Sequence, residues 1–250
     1  MSARSAKRRR PTPAQRIRPF WLLIAAAAVL LAVGAVALAR WPALRPHAIE
    51  VVGASIVSKR DVLAQAAIDP QTNIWIQNTG AMRKRIESLP YVKDASIARI
   101  PPANVRITIE ERAPYAVLAS EGQQSLVDHD LRVLAAAGEP EATLPRFDAA
   151  LPPGAQPGTF LTDAPLLALR DDEDALRAAH VDAVALAHDR YGDLVVTLRG
   201  GVQILFGEDG DLGKKIPLVQ PILTQVARKG RPIAAIDLRA PATPVVVYKQ

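Results

Sequence analysis

Between Phe20 and Ala39 the chain reads FWLLIAAAAVLLAVGAVALA, twenty consecutive positions without a charged side chain. At about 1.5 Å of rise per residue, a helix of that length crosses a hydrocarbon core of about 30 Å. Seven positive charges precede it, on Arg4, Lys7, Arg8, Arg9, Arg10, Arg16 and Arg18, and no acid occurs before Glu50. Only Arg40 and Arg45 follow closely on the other side. The positive-inside rule then predicts a cytoplasmic tail over residues 1–19, a membrane anchor over 20–39, and export of everything after it. Ala37-Leu38-Ala39 matches a signal-cleavage pattern, but a cleaved signal has an apolar core of about 7–15 residues, shorter than this one. The reading is an uncleaved, single-pass anchor in the inner membrane, oriented by Arg8, Arg9, Arg10, Arg16 and Arg18.

The anchor also explains the charge. Of 31 Lys and Arg, seven precede the span, leaving 24 against all 25 acids. The isoelectric point near 9.8 therefore reflects the tail, which sets topology and meets anionic headgroups. Nucleic-acid binding calls for basic residues interleaved with aromatics on a folded face, and aromatics make up 4% of this chain. The chain has no cysteine, which excludes disulfides, thiol nucleophiles and Cys-based metal centres. The exported part must fold on its apolar core alone.

Its first segment reads as β-α-α-β-β. Ala48–Val52 is a short strand closed by Gly53. Ser58 opens a helix with Val62, Leu63 and Ala66 expected on its buried stripe, and Asp69-Pro70 stops it. Asn78 or Thr79 opens a second helix, with Met82, Ile86 and Leu89 inward and the basic run Arg83–Arg85 on the solvated face. Val92–Ile100 is a strand, Pro101 to Asn104 a turn, and Val105, Ile107 and Ile109 alternate with Arg106, Thr108 and Glu110 in a third, half-buried strand.

From Tyr115 onward short strands and turns dominate. Tyr115–Ser120, Ser125–Val127 and Arg132–Ala135 are strand candidates, and the proline-rich stretch Leu144–Gly158 reads as an extended connection. A helix starts at Asp163-Ala164-Pro165. The strands Ala183–His188, Leu194–Leu198 and Val202–Phe206 follow, the last two joined by a Gly200-Gly201 turn. A helix is expected over Asp211–Lys229, with Ile216, Val219, Leu223 and Val226 inward. Pro217 and Pro221 each remove a backbone hydrogen bond and predict a late start or a kink. Ile233–Leu238 and Pro244–Tyr248 complete the strands, for an α+β chain with a mostly antiparallel second sheet.

Little in the sequence reads as chemistry. His129 stands between Asp128 and Asp130, but alternate residues of a strand point to opposite faces, which favours a solvated turn histidine. Asp171–Asp174 lacks the alternating ligands and glycine of a calcium loop and reads as an exposed acidic face; Asp209-Gly210-Asp211 is a fragment of such a loop. No nucleophile elbow, zinc-protease motif or phosphate loop occurs. No catalytic residue, metal, cofactor or small-molecule substrate is expected.

Several strings carry a family resemblance. Val51-Val52-Gly53, Pro90-Tyr91-Val92-Lys93-Asp94-Ala95, the turn from Arg99 through Pro101-Pro102 to Ile107, and Glu111-Arg112-Ala113-Pro114 resemble a POTRA domain, over residues 46–114. The stretch Val195–Tyr248, with Leu205-Phe206-Gly207, the pair Lys214-Lys215 and Ile236-Asp237-Leu238-Arg239, is similar to the β-domain of the FtsQ/DivIB cell-division family, over 115–250. Tail, anchor, POTRA and β-domain match in order. The resemblance implies a non-enzymatic scaffold at the division septum, recruiting FtsB- and FtsL-like bitopic proteins through the β-domain and other divisome proteins through the POTRA domain. Two alternatives stand beside it: an exported, membrane-anchored cell-wall enzyme, and a POTRA-bearing secretion component, which would need a following β-barrel.

Strand addition supplies a mechanism, since an exposed edge offers unpaired N–H and C=O groups to an extended segment. Val245, Val246, Val247 and Tyr248 are the expected partner-binding residues. Nothing later in the chain covers them, only Pro244 and Lys249 blunt the edge, and Tyr248 is the expected aromatic anchor.

Overall fold

A computed structural model describes residues 13–120, 122–138 and 143–249. Arg4, Lys7, Arg8, Arg9 and Arg10 lie outside these residues; Arg16 and Arg18 fall in the first turns of α1 (Pro13–Ala39). The apolar part, Trp21–Ala39, is helical, exposed over almost all its length, and long and apolar enough to cross a membrane.

A single 3-10 turn at Pro42–Leu44 leads to β1 (Ala48–Val52), α2 (Lys59–Ala66), α3 (Thr79–Glu87), β2 (Val92–Ile100) and β3 (Asn104–Glu111). The strands form one sheet in the order β1-β3-β2. β1 runs parallel to β3, with Ala48 opposite Asn104 and Val52 opposite Thr108. This is the β-α-α-β-β order that the patterning predicts. Val105, Ile107 and Ile109 are buried while Arg106, Thr108 and Glu110 face solvent. Asn78 caps α3 by accepting the Ala81 N–H at 3.0 Å. Leu63, expected on the buried stripe of α2, is exposed; one residue past the buried Val62 turns it about 100° around the helix. Gly53 has φ +83°, and a Cβ there would sit 2.2 Å from the Ile109 carbonyl oxygen, so the strand can end only on glycine.

The remaining elements are β4 (Ala116–Ser120), β5 (Gln123–Val127), β6 (Val133–Ala136), β7 (Arg146–Asp148), α4 (Ala164–Ala178), β8 (Ala183–His188), β9 (Leu194–Leu198), β10 (Gln203–Gly207), α5 (Leu212–Lys229), β11 (Ile233–Asp237) and β12 (Val245–Tyr248). They build a nine-stranded sheet in the order β12-β11-β10-β9-β8-β7-β4-β5-β6. Pairing is antiparallel except between β10 and β11 and on both sides of β7. Phe147, Leu186, Leu194, Ile204, Phe206 and Ile236 are fully buried in one core with Leu169 and Leu176 of α4 and Val219 of α5.

Three expectations are corrected. The connection Leu144–Gly158 contains β7, whose central Phe147 is fully buried between Leu118 of β4 and Leu186 of β8 in the ladder. One apolar residue among prolines has no readable period; pairing on both sides makes it a strand. α5 starts at Leu212 rather than late and stays helical to Lys229 with Pro217 and Pro221 inside it, its buried side including Ile216, Val219 and Val226. The acidic run Asp171–Asp174 lies within α4 and is not wholly exposed, since Asp172 and Glu173 are buried. Glu173 Oε1 takes the Arg177 guanidinium one turn on, at 2.9 Å, and Asp172 faces His188 at 3.5 Å.

The molecule divides into two compact units that do not follow chain order. One gathers the chain up to Val52 with Lys59–Lys84 and Ser96–Thr108; the other gathers Gly53–Ser58, Arg85–Ala95 and everything from Ile109 onward.

Candidate interaction edge

β12 pairs with β11 alone, so it forms one edge of the nine-stranded sheet among the described residues. Val245 lies opposite Asp237, Val246 opposite Ile236, Val247 opposite Ala235 and Tyr248 opposite Ile233. The register shift between Ile233 and Ala235 falls on β11 and leaves β12 regular. The Lys249 N–H donates to the Pro232 carbonyl at 3.0 Å. Backbone groups alternate in direction along an antiparallel strand, so those of Val247 and Val245 also turn toward β11. Those of Val246 and Tyr248 turn to the open side.

The side chains sort by the same alternation. Val246 and Tyr248 pack against the core, while Val245 and Val247 are 56% and 48% exposed. The Arg231 guanidinium stacks 4.2 Å over the Tyr248 ring, so that aromatic, expected as a free anchor, lies half-buried beneath a cation. On the open face, Val247, Ala235, Gln203 and Thr197 form one cross-strand row, and Val245, Asp237, Leu205 and Val195 the next. None of these eight is fully buried.

Lys215 and Gly207 support this end of the sheet. The Lys215 ammonium is buried and donates to the carbonyls of Phe206 at 2.7 Å and Glu208 at 3.0 Å, across the irregular end of β10. Gly207 has φ +74°, and a Cβ there would press on Arg239 Cγ at 2.9 Å. The Arg239 guanidinium in turn grips Asp237 at 2.6 Å, opposite Val245. The Leu205-Phe206-Gly207 and Asp237-Leu238-Arg239 strings thus meet in one place.

A second polar cluster was not legible in advance. Arg132 is buried and donates from its guanidinium to the carbonyls of Glu87, Ser88 and Leu89, the C-terminal end of α3, and to Val92. Arg112 is buried too; it pairs with Asp128 and, at 2.9 Å, with Asp130. Asp128 also accepts the Arg132 N–H at 2.7 Å, and both guanidinium groups lie 5.2 Å from the centre of the Phe160 ring. The aspartates beside His129 therefore serve the arginines rather than the imidazole.

His129 instead reaches Asp174, at 2.9 Å, and the Tyr115 hydroxyl donates to the other oxygen of that carboxylate at 2.7 Å. Burial raises the Tyr115 phenol well above its ordinary value, and its bond to Asp174 adds to this. Burial also opposes ionisation of Asp174, but the hydrogen bonds from Tyr115 and His129 outweigh it and hold the carboxyl below its usual range. A proton-transfer pair needs values near the working pH. This one is driven the opposite way, the acid locked protonated and the base locked ionised, as suits a packing contact. Among the described residues, no three His, Asp or Glu side chains come together to hold a metal ion.

Two family models match the chain: "POTRA domain, FtsQ-type" over residues 44–112, and "Cell division protein FtsQ/DivIB, C-terminal" over 116–239. Together they cover well over half of it. The chain belongs to the FtsQ/DivIB family. It is 29% identical over 205 residues to the cell division protein FtsQ of Mycobacterium tuberculosis, covering 82% of this chain and 61% of that protein. With FtsQ of Mycolicibacterium smegmatis the identity is 28%, covering 97% of this chain and 72% of that protein. With FtsQ of Bradyrhizobium diazoefficiens it is 21%, covering 84% and 58%. The chain thus spans about three fifths of the length of the first of these FtsQ proteins. The C-terminal family match stops at residue 239, short of β12, so the edge strand is argued from its own geometry. Among the described residues, the POTRA-type region follows one helix long and apolar enough to cross a membrane.

Proposed function

We propose that this protein is a non-enzymatic divisome scaffold that recruits small bitopic partners, FtsB- and FtsL-like, by adding an extended partner segment to β12. The observation that carries this reading is the open side of β12, where the backbone groups of Val246 and Tyr248 have no neighbour among the described strands. A strand added there would continue both cross-strand rows of the open face, where Val245 and Val247 already stand exposed. Side chains of the partner at alternate positions would meet those two valines, which supplies specificity where the backbone supplies affinity. The POTRA region is assigned to other divisome proteins, the basic tail to the cytoplasm, and the molecule to the septum.

The test is the affinity of a synthetic periplasmic segment of an FtsB-like partner for the protein and for two proline variants. Val246→Pro removes an outward donor and leaves the β11 ladder intact, so binding should weaken while the thermal midpoint holds. Undiminished binding by a folded Val246→Pro protein would exclude β12 as the docking edge.

A further inference from the structure

Within the first unit, the loop Asp69–Gln77 is tied to itself and to the end of the apolar helix. The Gln77 side chain closes it, accepting the Asp69 N–H at 3.0 Å and donating to the carbonyls of Asp69 and Thr72 at 2.8 Å each. Asp69 accepts the Gln71 N–H and the Thr72 hydroxyl. The Trp75 indole N–H donates to Pro102 O at 2.9 Å. At the tip, the Asn73 amide donates at 3.4 Å to the Leu38 carbonyl in the last turn of α1, which also accepts the Trp41 N–H at 3.2 Å, and the Ile74 N–H donates to Leu44 O. Asn73 and Ile76 share a cavity of about 410 Å³ with Val36, Ala39, Arg40 and Arg45.

Position follows from the helix. Trp21 and Trp41 are 65% and 57% exposed and bracket the apolar stretch, about 30 Å apart at helical rise, the thickness of a hydrocarbon core. Indole rings favour the two membrane–water interfaces, so Trp41 marks the outer one. Val36 and Ala39 belong to the last turn before it. A loop that shares a cavity with them lies at headgroup depth. Yet Ile76, an apolar side chain on a loop locked by its own hydrogen bonds, is 62% exposed.

We propose that Asp69–Gln77 is a membrane-seated loop. It places Ile76 at the headgroup–acyl boundary of the bilayer that α1 spans, with Arg40 and Arg45 on lipid phosphates. This rests on Trp21–Ala39 being a retained span. The occupant is phospholipid, because the surface is continuous with the span and its two cations match phosphate. The internal hydrogen bonds preform the loop, so seating it orders nothing further.

A chain without cysteine permits single labels. The full-length protein, reconstituted in phosphatidylglycerol/phosphatidylethanolamine vesicles, carries an environment-sensitive fluorophore on Ile76→Cys, Leu30→Cys or Thr108→Cys. Thr108 lies at the end of the β1–β3 pair away from the anchor. Lipids with a nitroxide near the headgroup should quench position 76 several-fold more than position 108, with blue-shifted emission at 76. Lipids with a nitroxide deep in the acyl chain should quench position 30. Quenching at 30 with none at 76 would overturn the loop proposal while leaving the anchor intact. No quenching at 30 would overturn the anchor, and the proposal with it. A blue shift at 76 that lipid does not quench, and that vanishes as protein is diluted into lipid, would assign the surface to a second copy and overturn the lipid reading.

Discussion

Glu111 accepts the backbone N–H groups of Ser55, Ile56 and Val57, at 3.0, 2.9 and 2.7 Å, and the Ser55 hydroxyl. One carboxylate thereby satisfies the turn that follows β1. Burial opposes its charge, but these donors prevail and hold the carboxyl below its ordinary value. The folded form then binds fewer protons than the unfolded form. The stabilisation is complete above the ordinary glutamate value of 4.5 and drains away as pH falls through the lowered one. Glu111→Gln should cost about 1–2 kcal/mol at neutral pH and flatten the acid limb of a stability–pH curve, read by urea unfolding. Arg132 is the second test at this scale. Arg132→Ala leaves the carbonyls of Glu87, Ser88, Leu89 and Val92 without their guanidinium donor and should cost about 3 kcal/mol, whereas Arg132→Lys keeps the charge but not the fork and should recover part of it. Both residues explain strings whose meaning the sequence hid. Glu111-Arg112-Ala113-Pro114 stands out as a resemblance, but the partners of Glu111 lie more than fifty residues away and those of Arg112 sixteen and eighteen.

Elements were legible wherever a period was long enough. β3, β9 and the inward stripe of α5 follow their patterns closely, because a half-buried strand or helix imposes its period on the residues. β7 has no period to show. Phe147→Ala should cost about 3–5 kcal/mol, the usual penalty for emptying a core phenylalanine, and thermal unfolding would measure it. The edge strand was legible as a strand, but which of its groups face outward required the Lys249–Pro232 bond. That bond sharpens the proline test. Val247→Pro should lower the thermal midpoint, since it deletes a donor to β11, whereas Val246→Pro should spare it. A hydrogen bond lost to the partner is worth about 1 kcal/mol, roughly a fivefold weaker complex. Tyr248→Ala should lower stability as well as binding, because the ring packs on the core beneath Arg231.

For the whole molecule, the order of an apolar helix, a POTRA-type region and an FtsQ/DivIB C-terminal region was legible because hydropathy and patterning act over tens of residues. How the chain partitions was not, since the two compact units interleave segments of α3, β2 and β3. Orientation is open to direct measurement. A reporter active only outside the cytoplasm should work when fused at Gln250 and fail at Pro19, and a mature N-terminus at Arg40 by mass spectrometry would overturn the anchor.

The short strand β7 has one more bearing. Among the described residues it is the strand that joins the β4-β5-β6 ladder to the β8–β12 ladder, and it is three residues long with parallel neighbours on both sides. The sheet is thus two plates riveted along a narrow seam. Along the backbone ladder, a pull applied at the β12 plate reaches the other plate through the few rungs around Phe147. Mechanical load would concentrate there, and the plate that carries the edge strand would shear away as a piece while its own ladder stayed whole.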